Sequence, residues 1–125
     1  MIKFKYRENK NDNDCWNDAL SYASGKTYEE IRETFKPLIG LDGSLRHGYI
    51  NTYLVVLNYH EINIENYTIN DVMTYFNHYN CEIVLQLEEH VIYAHKNTIY
   101  EYVEPINRVE YLNQKVLKIY LRTKT

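Results

Sequence analysis

The segment 81–103, CEIVLQLEEHVIYAHKNTIYEYV, carries the strongest indication of the fold. Apolar and polar residues alternate over 81–87, a pattern typical of a half-buried strand. A second strand is predicted over 90–95 and a third over 98–103. Between these two, Lys96-Asn97 is flanked by aromatic and β-branched residues, which predicts a tight hairpin turn. The segment therefore predicts three consecutive antiparallel strands.

Helical patterns dominate the residues that precede this segment. Four helices are predicted. The first begins at Cys15 and ends at Gly25, and the second begins with a capping box of Thr27 and Glu30 and ends near Pro37. The third covers 49–58, and the fourth begins at Thr68 and Asp71. Further strands are predicted over 2–7, 60–65 and 115–122, a glycine-rich loop over 40–48, and an irregular stretch around Pro105 and Asn107. This order predicts an α+β fold in which N-terminal helices pack on a C-terminal antiparallel sheet.

Length and charge limit the possible functions. The chain has 125 residues, which predicts a single domain over 1–125. Its net charge of −3 disfavours a general attraction to nucleic acid or to an anionic membrane. Both chain ends are locally basic and would form one face if they paired, although lysines on solvated strand edges are the plainer interpretation. These residues are Lys3, Lys5, Arg7 and Lys10 at the start, and Lys115, Lys118, Arg122 and Lys124 at the end.

Neither a signal peptide nor an apolar stretch of bilayer length is recognisable, so we expect a cytoplasmic protein with reduced thiols. The two cysteines, Cys15 and Cys81, are too few for a disulfide framework or a four-cysteine metal site. The sequence also lacks zinc motifs and a glycine-rich phosphate loop. We therefore predict no metal and no cofactor, and we expect Cys81 to serve packing.

Cys15 stands where a reactive thiol is favoured. It occupies the predicted first turn of a helix, whose free N–H groups and dipole stabilise a thiolate. A free cysteine is often a small buried apolar residue instead. The polar neighbours Asn13-Asp14 and Asn17-Asp18 place this cysteine at a polar–apolar boundary, which favours the reactive interpretation. The carboxylate of Asp14 disfavours a thiolate, so Cys15 needs a cationic partner.

A histidine is the natural partner, and the chain has five: His47, His60, His78, His90 and His95. His90 is the best placed, because it begins a strongly apolar strand and should lie at the rim of the sheet. His95 is the main rival, but it stands beside the hairpin turn. A lone histidine is also commonly structural or merely exposed.

Two segments together resemble the small papain-like cysteine peptidases found in bacteriophage and bacterial genomes. The first is residues 13–28, NDCWNDALSYASGKTY, with its Asp-Cys helix, Gly-Lys turn and Tyr opening the next helix. The second is the His-led hairpin, with His90-Val91-Ile92-Tyr93 on one strand and Ile99-Tyr100-Glu101 on the next. Gly48 and Thr68 match in order between them, and the resemblance covers about residues 9 to 121. It implies a papain-like layout and, for a phage protein, a place in the host cytoplasm.

The resemblance implies a nucleophile, Cys15, a base, His90, and a third residue that orients the base. Glu101 matches the family's acid, although relatives usually carry Asp there. Asn97 is the rival, because papain-like enzymes often use Asn as the third residue; many relatives have Gly at that turn position. The oxyanion donors implied are the Cys15 N–H and an upstream amide, with Asn9, Asn11 and Asn13 open; of these, Asn9 has the familiar spacing.

The implied activity is hydrolysis of a peptide, isopeptide or related amide bond in a protein or peptide substrate, through a thioester. One alternative is a papain-like scaffold that has lost its chemistry and serves as a binding module, such as a phage structural component or an inhibitor of a host protein. A third hypothesis, a nucleic-acid binder that uses the two basic ends, conflicts with the net charge.

Overall fold

A six-stranded mixed sheet with helices on both faces organises the fold. The computed structural model describes residues 2–6, 15–38, 43–76, 80–88, 90–101 and 104–123; for residues 15, 38 and 43–47 it describes the backbone only. The strands are β1 (Lys3–Tyr6), β2 (His60–Ile62), β3 (Cys81–Gln86), β4 (Val91–His95), β5 (Thr98–Glu101) and β6 (Lys118–Thr123). The helices are α1 (Cys15–Ser24), α2 (Tyr28–Phe35), α3 (Gly43–Val56), α4 (Ile69–Phe76) and α5 (Arg108–Leu112), with a 3-10 turn at Lys36–Leu38. The α+β class is thus confirmed.

The strand order is β1-β5-β4-β3-β6-β2. The antiparallel β3–β4–β5 unit predicted from the sequence is confirmed, with Tyr93 opposite Tyr100 in the hairpin. The expectation of a purely antiparallel C-terminal sheet is wrong, because β1 pairs with β5 in parallel and β2 joins the other edge beside β6. A parallel pair requires a long crossover, and the described part of the chain between β1 and β5 contains four α-helices and three strands.

Each face of the sheet has its own apolar core. Val91 and Tyr93 of β4 belong to the first core, which α1, α2 and α3 cover. Ile92 and Ala94 belong to the second core, which lies under α4 and α5. Because side chains alternate along a strand, burial on both faces explains why β4 is a continuous apolar run.

Local signals place most of the helices correctly. Gly25 adopts a φ of 74° and its N–H donates to the carbonyl of Ser21, which ends α1 as predicted. The capping box of Thr27 and Glu30 is present at the start of α2. Thr68 and Asp71 exchange two backbone-to-side-chain hydrogen bonds of 2.9 and 3.2 Å at the start of α4.

Two expectations about the helices are wrong. Helix α3 begins at Gly43, so part of the predicted loop over 40–48 is helical; the burial of Ile50 and Leu54 outweighs the roughly 1 kcal/mol disadvantage of Gly48. Helix α5 replaces part of the irregular stretch around Pro105. Its N-cap is Asn107, whose side chain accepts from the N–H of Glu110.

The backbone of the β4–β5 turn is in a conformation that is strained for one of its residues, and this strain can be tested. Lys96 and Asn97 have φ values of 49° and 61°, so both are left-handed. Asn tolerates this conformation better than Lys does, since its short polar side chain bonds locally. We expect Lys96→Asn to raise the free energy of unfolding by about 0.5 kcal/mol, within the range known for relieving such conformations. Urea unfolding would measure the change, and a decrease would contradict the turn geometry.

The described residues of the two basic ends lie on strands that are not neighbours in the sheet. Strands β5, β4 and β3 separate β1, which carries Lys3 and Lys5, from β6, which carries Lys118 and Arg122. The hypothesis of a nucleic-acid surface built from paired ends therefore loses its geometric basis. Among the helices in the described segments, all are too short or too polar to cross a bilayer.

Candidate active site

A histidine and a buried carboxylate meet at one end of the sheet. His90 lies one residue before β4, and Glu101 is the last residue of β5. The Nε2 atom of His90 is 2.6 Å from Oε2 of Glu101. Glu101 is only 4% exposed, whereas the side chain of His90 is 20% exposed. The hairpin register accounts for the meeting, because pairing of Tyr93 with Tyr100 carries Glu101 back toward the start of β4.

Tyr111 is a third member of this cluster that sequence reasoning missed. Its hydroxyl donates to the same Oε2 atom of Glu101 at 2.7 Å. Its ring contacts Phe4 of β1 edge-on, with centroids 5.4 Å apart. Tyr111 belongs to α5, which the sequence analysis did not predict; the cap spacing of Asn107 and Glu110 was the available signal.

The cluster defines the proton position on the imidazole. The hydroxyl of Tyr111 donates to Glu101, and when the carboxylate is ionised Nε2 of His90 donates to it as well, because an ionised carboxylate only accepts hydrogen bonds. In the neutral ring, Nε2 therefore carries the hydrogen and Nδ1 is the basic nitrogen. Such an imidazole can accept a proton at Nδ1 while the carboxylate stabilises the resulting cation.

The backbone of Cys15 begins α1, as the sequence predicted, and its side chain lies outside the described atoms. The direction of α1 follows from its other end. The carbonyl of Ala23 in its last turn accepts from Arg122, which pairs with Glu82, the residue opposite His95. Helix α1 packs mainly on β4, and its length of about 15 Å is enough to carry its first turn toward the other end of that strand, which His90 precedes.

The imidazole borders an open cleft of about 400 Å³. Its lining residues are Leu87, Glu88, His90, Gln114, Lys115 and Leu117. The two leucines supply apolar walls, and Glu88 and Lys115 bring opposite charges. The cleft leaves His90 accessible to solvent, in agreement with its 20% exposed side chain.

Asn97 does not join the cluster. It lies in the β4–β5 turn, at the end of β4 opposite to His90, so roughly 17 Å of strand separates the two. It lines a different cavity, of about 500 Å³, together with Phe4 and Arg108. Between the two candidates for the third residue, the structure therefore brings Glu101 to His90 and leaves Asn97 apart, because the hairpin register sends them to opposite ends.

Other sequence-predicted residues take varied positions. Asn9 and Asn13, the oxyanion candidates, lie outside the described residues, as does Asn11. Nε2 of His95 is 2.9 Å from Oδ1 of Asn80 at the far end of β4. Cys81 has a free thiol, is half-buried and packs against the second core, in keeping with a packing role.

Within the ranges that the structure describes, no group of three or more His, Cys, Asp or Glu residues could hold a metal ion. Comparison of the chain with known protein families, with curated proteins and with solved structures gives no match.

Proposed function

We propose that the chain is a papain-like cysteine hydrolase, a peptidase or amidase, in which Cys15 is the nucleophile and His90 the base. The observation that carries this proposal is the 2.6 Å contact between His90 and the buried Glu101. A carboxylate that holds one ring nitrogen of an accessible imidazole leaves the other nitrogen as a general base; in the Ser-His-Asp triad the held nitrogen is Nδ1, whereas Glu101 holds Nε2 here. The direction of α1, which points Cys15 toward the same end of the sheet, supports the pairing.

The proposed reaction is acyl transfer through a thioester. Nδ1 of His90 takes the thiol proton, and the sulfur attacks the carbonyl carbon of the scissile amide. The imidazolium then gives that proton to the leaving amine as the carbon–nitrogen bond breaks. A water molecule, deprotonated by the same nitrogen, hydrolyses the thioester and releases the acid. The Cys15 N–H and an upstream amide, Asn9 or Asn13, are the proposed oxyanion donors.

The proposed substrate is a peptide, isopeptide or related amide bond in a protein or peptide. The cleft beside His90 is open and lined by both apolar and charged residues, which suits an extended chain more than a compact apolar ligand. If the protein is phage-encoded, the proposed place of action is the host cytoplasm.

A second candidate is a binding module without chemistry, and one observation favours it. Glu101 approaches His90 from the sheet face that α5 covers, since it also binds Tyr111. Helix α1 covers the opposite face. The imidazole of His90 lies just before β4, at the end of the sheet, where groups on either face can reach it. The hydrolase requires that Nε2 contact Glu101 on one face while Nδ1 contacts Cys15 from the other.

The pH dependence of Cys15 alkylation by iodoacetamide distinguishes the hydrolase from the binding module. An ordinary thiol, with a pKa near ~8.5, alkylates about tenfold more slowly for each pH unit below that value, because only the thiolate reacts. A thiolate paired with imidazolium stays ionised, so we expect the rate at Cys15 to stay within about threefold between pH 5.5 and 7.5. Cys81 in the same molecule is the internal reference, and mass spectrometry distinguishes the two sites.

His90→Ala should return Cys15 to the steep profile of an ordinary thiol and slow its alkylation at pH 6 by about tenfold or more. His95→Ala is the matched control, since His95 lies on the same strand at its other end, and it should leave the profile flat. A steep profile in the unmodified protein would reject the hydrolase and favour the binding module.

A further inference from the structure

One carboxylate oxygen receives two donors from different elements. Oε2 of Glu101 is 2.6 Å from Nε2 of His90, which lies just before β4, and 2.7 Å from the hydroxyl of Tyr111, on α5. The carboxylate itself comes from β5 and is 4% exposed. Three separate pieces of the chain therefore converge on a single buried atom.

Glu101 needs such a restraint. A glutamate side chain has three rotatable bonds, one more than aspartate, so its carboxylate has more freedom to turn away from an imidazole. The donor from α5 restricts that rotation, because a hydrogen bond to a charged group is short and directional. Tyr111 is itself held by the edge contact of its ring with Phe4, over which the Arg108 guanidinium lies at 4.8 Å.

We propose that Tyr111 is a positioning residue for His90: its hydroxyl holds Oε2 of Glu101 against Nε2, which keeps the ring proton on Nε2 and leaves Nδ1 as the basic nitrogen. The value of this device for catalysis rests on the proposed hydrolase function. The arrangement of the imidazole does not depend on that function, and the His90 pKa and the position of the ring proton can be measured without any substrate.

Two roles for Tyr111 predict opposite results. If Tyr111 positions the carboxylate, its removal loosens the contact between Glu101 and His90, and the imidazolium loses stabilisation. If Tyr111 only competes with His90 for the Glu101 carboxylate, its removal leaves the whole negative charge of that carboxylate to interact with His90. The imidazolium is then stabilised further. The sign of the change in the His90 pKa therefore separates positioning from competition.

The experiment is a titration of His90 by nitrogen-15 NMR in the full chain, in Tyr111→Phe, and in Glu101→Gln. Loss of the opposite charge in Glu101→Gln should lower the His90 pKa by about one unit or more, a tenfold loss of proton affinity. Tyr111→Phe should shift it in the same direction by about half a unit, roughly threefold. In the unmodified protein, the nitrogen shifts of the neutral ring should identify the Nε2–H form.

Tyr67→Phe is the matched control, because Tyr67 is also a half-buried tyrosine beside the second core. It should leave the His90 titration unchanged. Glu88 and Lys115 line the cleft next to His90 and are the same in every variant, so their charges cancel in the comparison. Phenylalanine keeps the ring that contacts Phe4, and an amide spectrum verifies that each variant is folded.

An unchanged or raised His90 pKa in Tyr111→Phe overturns the positioning role, and so does an Nδ1–H ring in the unmodified protein. Failure of the hydrolase proposal looks different: the alkylation of Cys15 follows a steep pH profile while Tyr111→Phe still lowers the His90 pKa. In that result the positioning role stands without a nucleophile.

Discussion

Above pH 10 the protein is expected to lose stability steeply, by about 3 kcal/mol between pH 10 and 11. The slope is not yet at its full value at pH 10, because unfolded tyrosines are only half ionised there. Three tyrosines whose side chains are 5% exposed or less, Tyr59, Tyr93 and Tyr120, are the cause. Burial raises the pKa of Tyr120 to about 12, with Glu61 adding to the effect. Burial also raises the pKa of Tyr59 and Tyr93 well above the usual value, and for Tyr93 the hydrogen bond to Glu82 raises it further.

The sign follows from the unfolded chain. A tyrosine in the unfolded state ionises near pH ~10, whereas these three stay neutral in the fold, so the unfolded state is favoured as pH rises through that value. The stabilisation is fully present below pH ~10, and each tyrosine removes about 1.4 kcal/mol per pH unit until its folded pKa is reached. Such a loss is a large part of the roughly 5–15 kcal/mol typical of a folded domain.

Urea unfolding at pH 9, 10 and 11 measures this slope. Tyr120→Phe should make the slope shallower by about a third, since one of the three ionising groups is gone. Tyr49→Phe is the control, because Tyr49 is 55% exposed on α3, and it should leave the slope unchanged. Equal stability at pH 9 and 11 would mean that the buried hydroxyls ionise within the fold.

Loss of Arg122 is expected to lower the free energy of unfolding by about 3–5 kcal/mol, the range found when a buried ion pair loses one partner. Its Nε donates to Glu82 at 2.8 Å, and its two terminal nitrogens donate to the carbonyls of Leu57 and Ala23 at 3.0 and 2.9 Å. The guanidinium also lies 4.5 Å above the ring of Tyr59. One side chain thus ties α1 and the segment after α3 to β3 and β6.

The large effect comes from what Arg122 leaves behind. Glu82 is 4% exposed, and without the guanidinium its buried charge is left with the hydrogen bond from the hydroxyl of Tyr93, at 2.8 Å. Arg122→Met preserves the length of the side chain and removes the charge. Adding Glu82→Leu to that variant should recover part of the loss, because no unpaired charge remains.

Thermal and urea unfolding measure these variants. Lys118→Met is the matched control: Lys118 lies on the same strand and pairs with Glu61 at 3.4 Å, but its side chain is 48% exposed. We expect a change of about 0.5 kcal/mol or less there, as is usual for surface pairs. A similarly small change in Arg122→Met would show that the network around Glu82 contributes little to stability.

The two ends of the central strands have different roles in this fold. Arg122, Glu82 and Tyr93 join the end at His95 into a buried polar network. The other end carries His90, Glu101 and the open cleft. The network holds the last turn of α1 through the carbonyl of Ala23.

Sequence patterns alone determined the elements that depend on near neighbours. The apolar, β-branched and aromatic patterns of β3, β4 and β5, the stop at Gly25 and the capping box of Thr27 each act within a few residues, so they can be recognised without knowledge of the fold. The same rules did not predict the start of α3. Its glycines favour a loop, and only the tertiary packing of Ile50 and Leu54 outweighs that preference.

Only the tertiary structure decided which groups meet. The parallel pairing of β1, the choice of Glu101 over Asn97 beside His90, the contribution of Tyr111 and the reach of Arg122 all depend on strand register and helix packing. These contacts join residues that are 10 to 99 positions apart. Local preferences cannot specify contacts between residues so far apart in the sequence. The free energy that selects these contacts comes from burying both faces of one sheet at once.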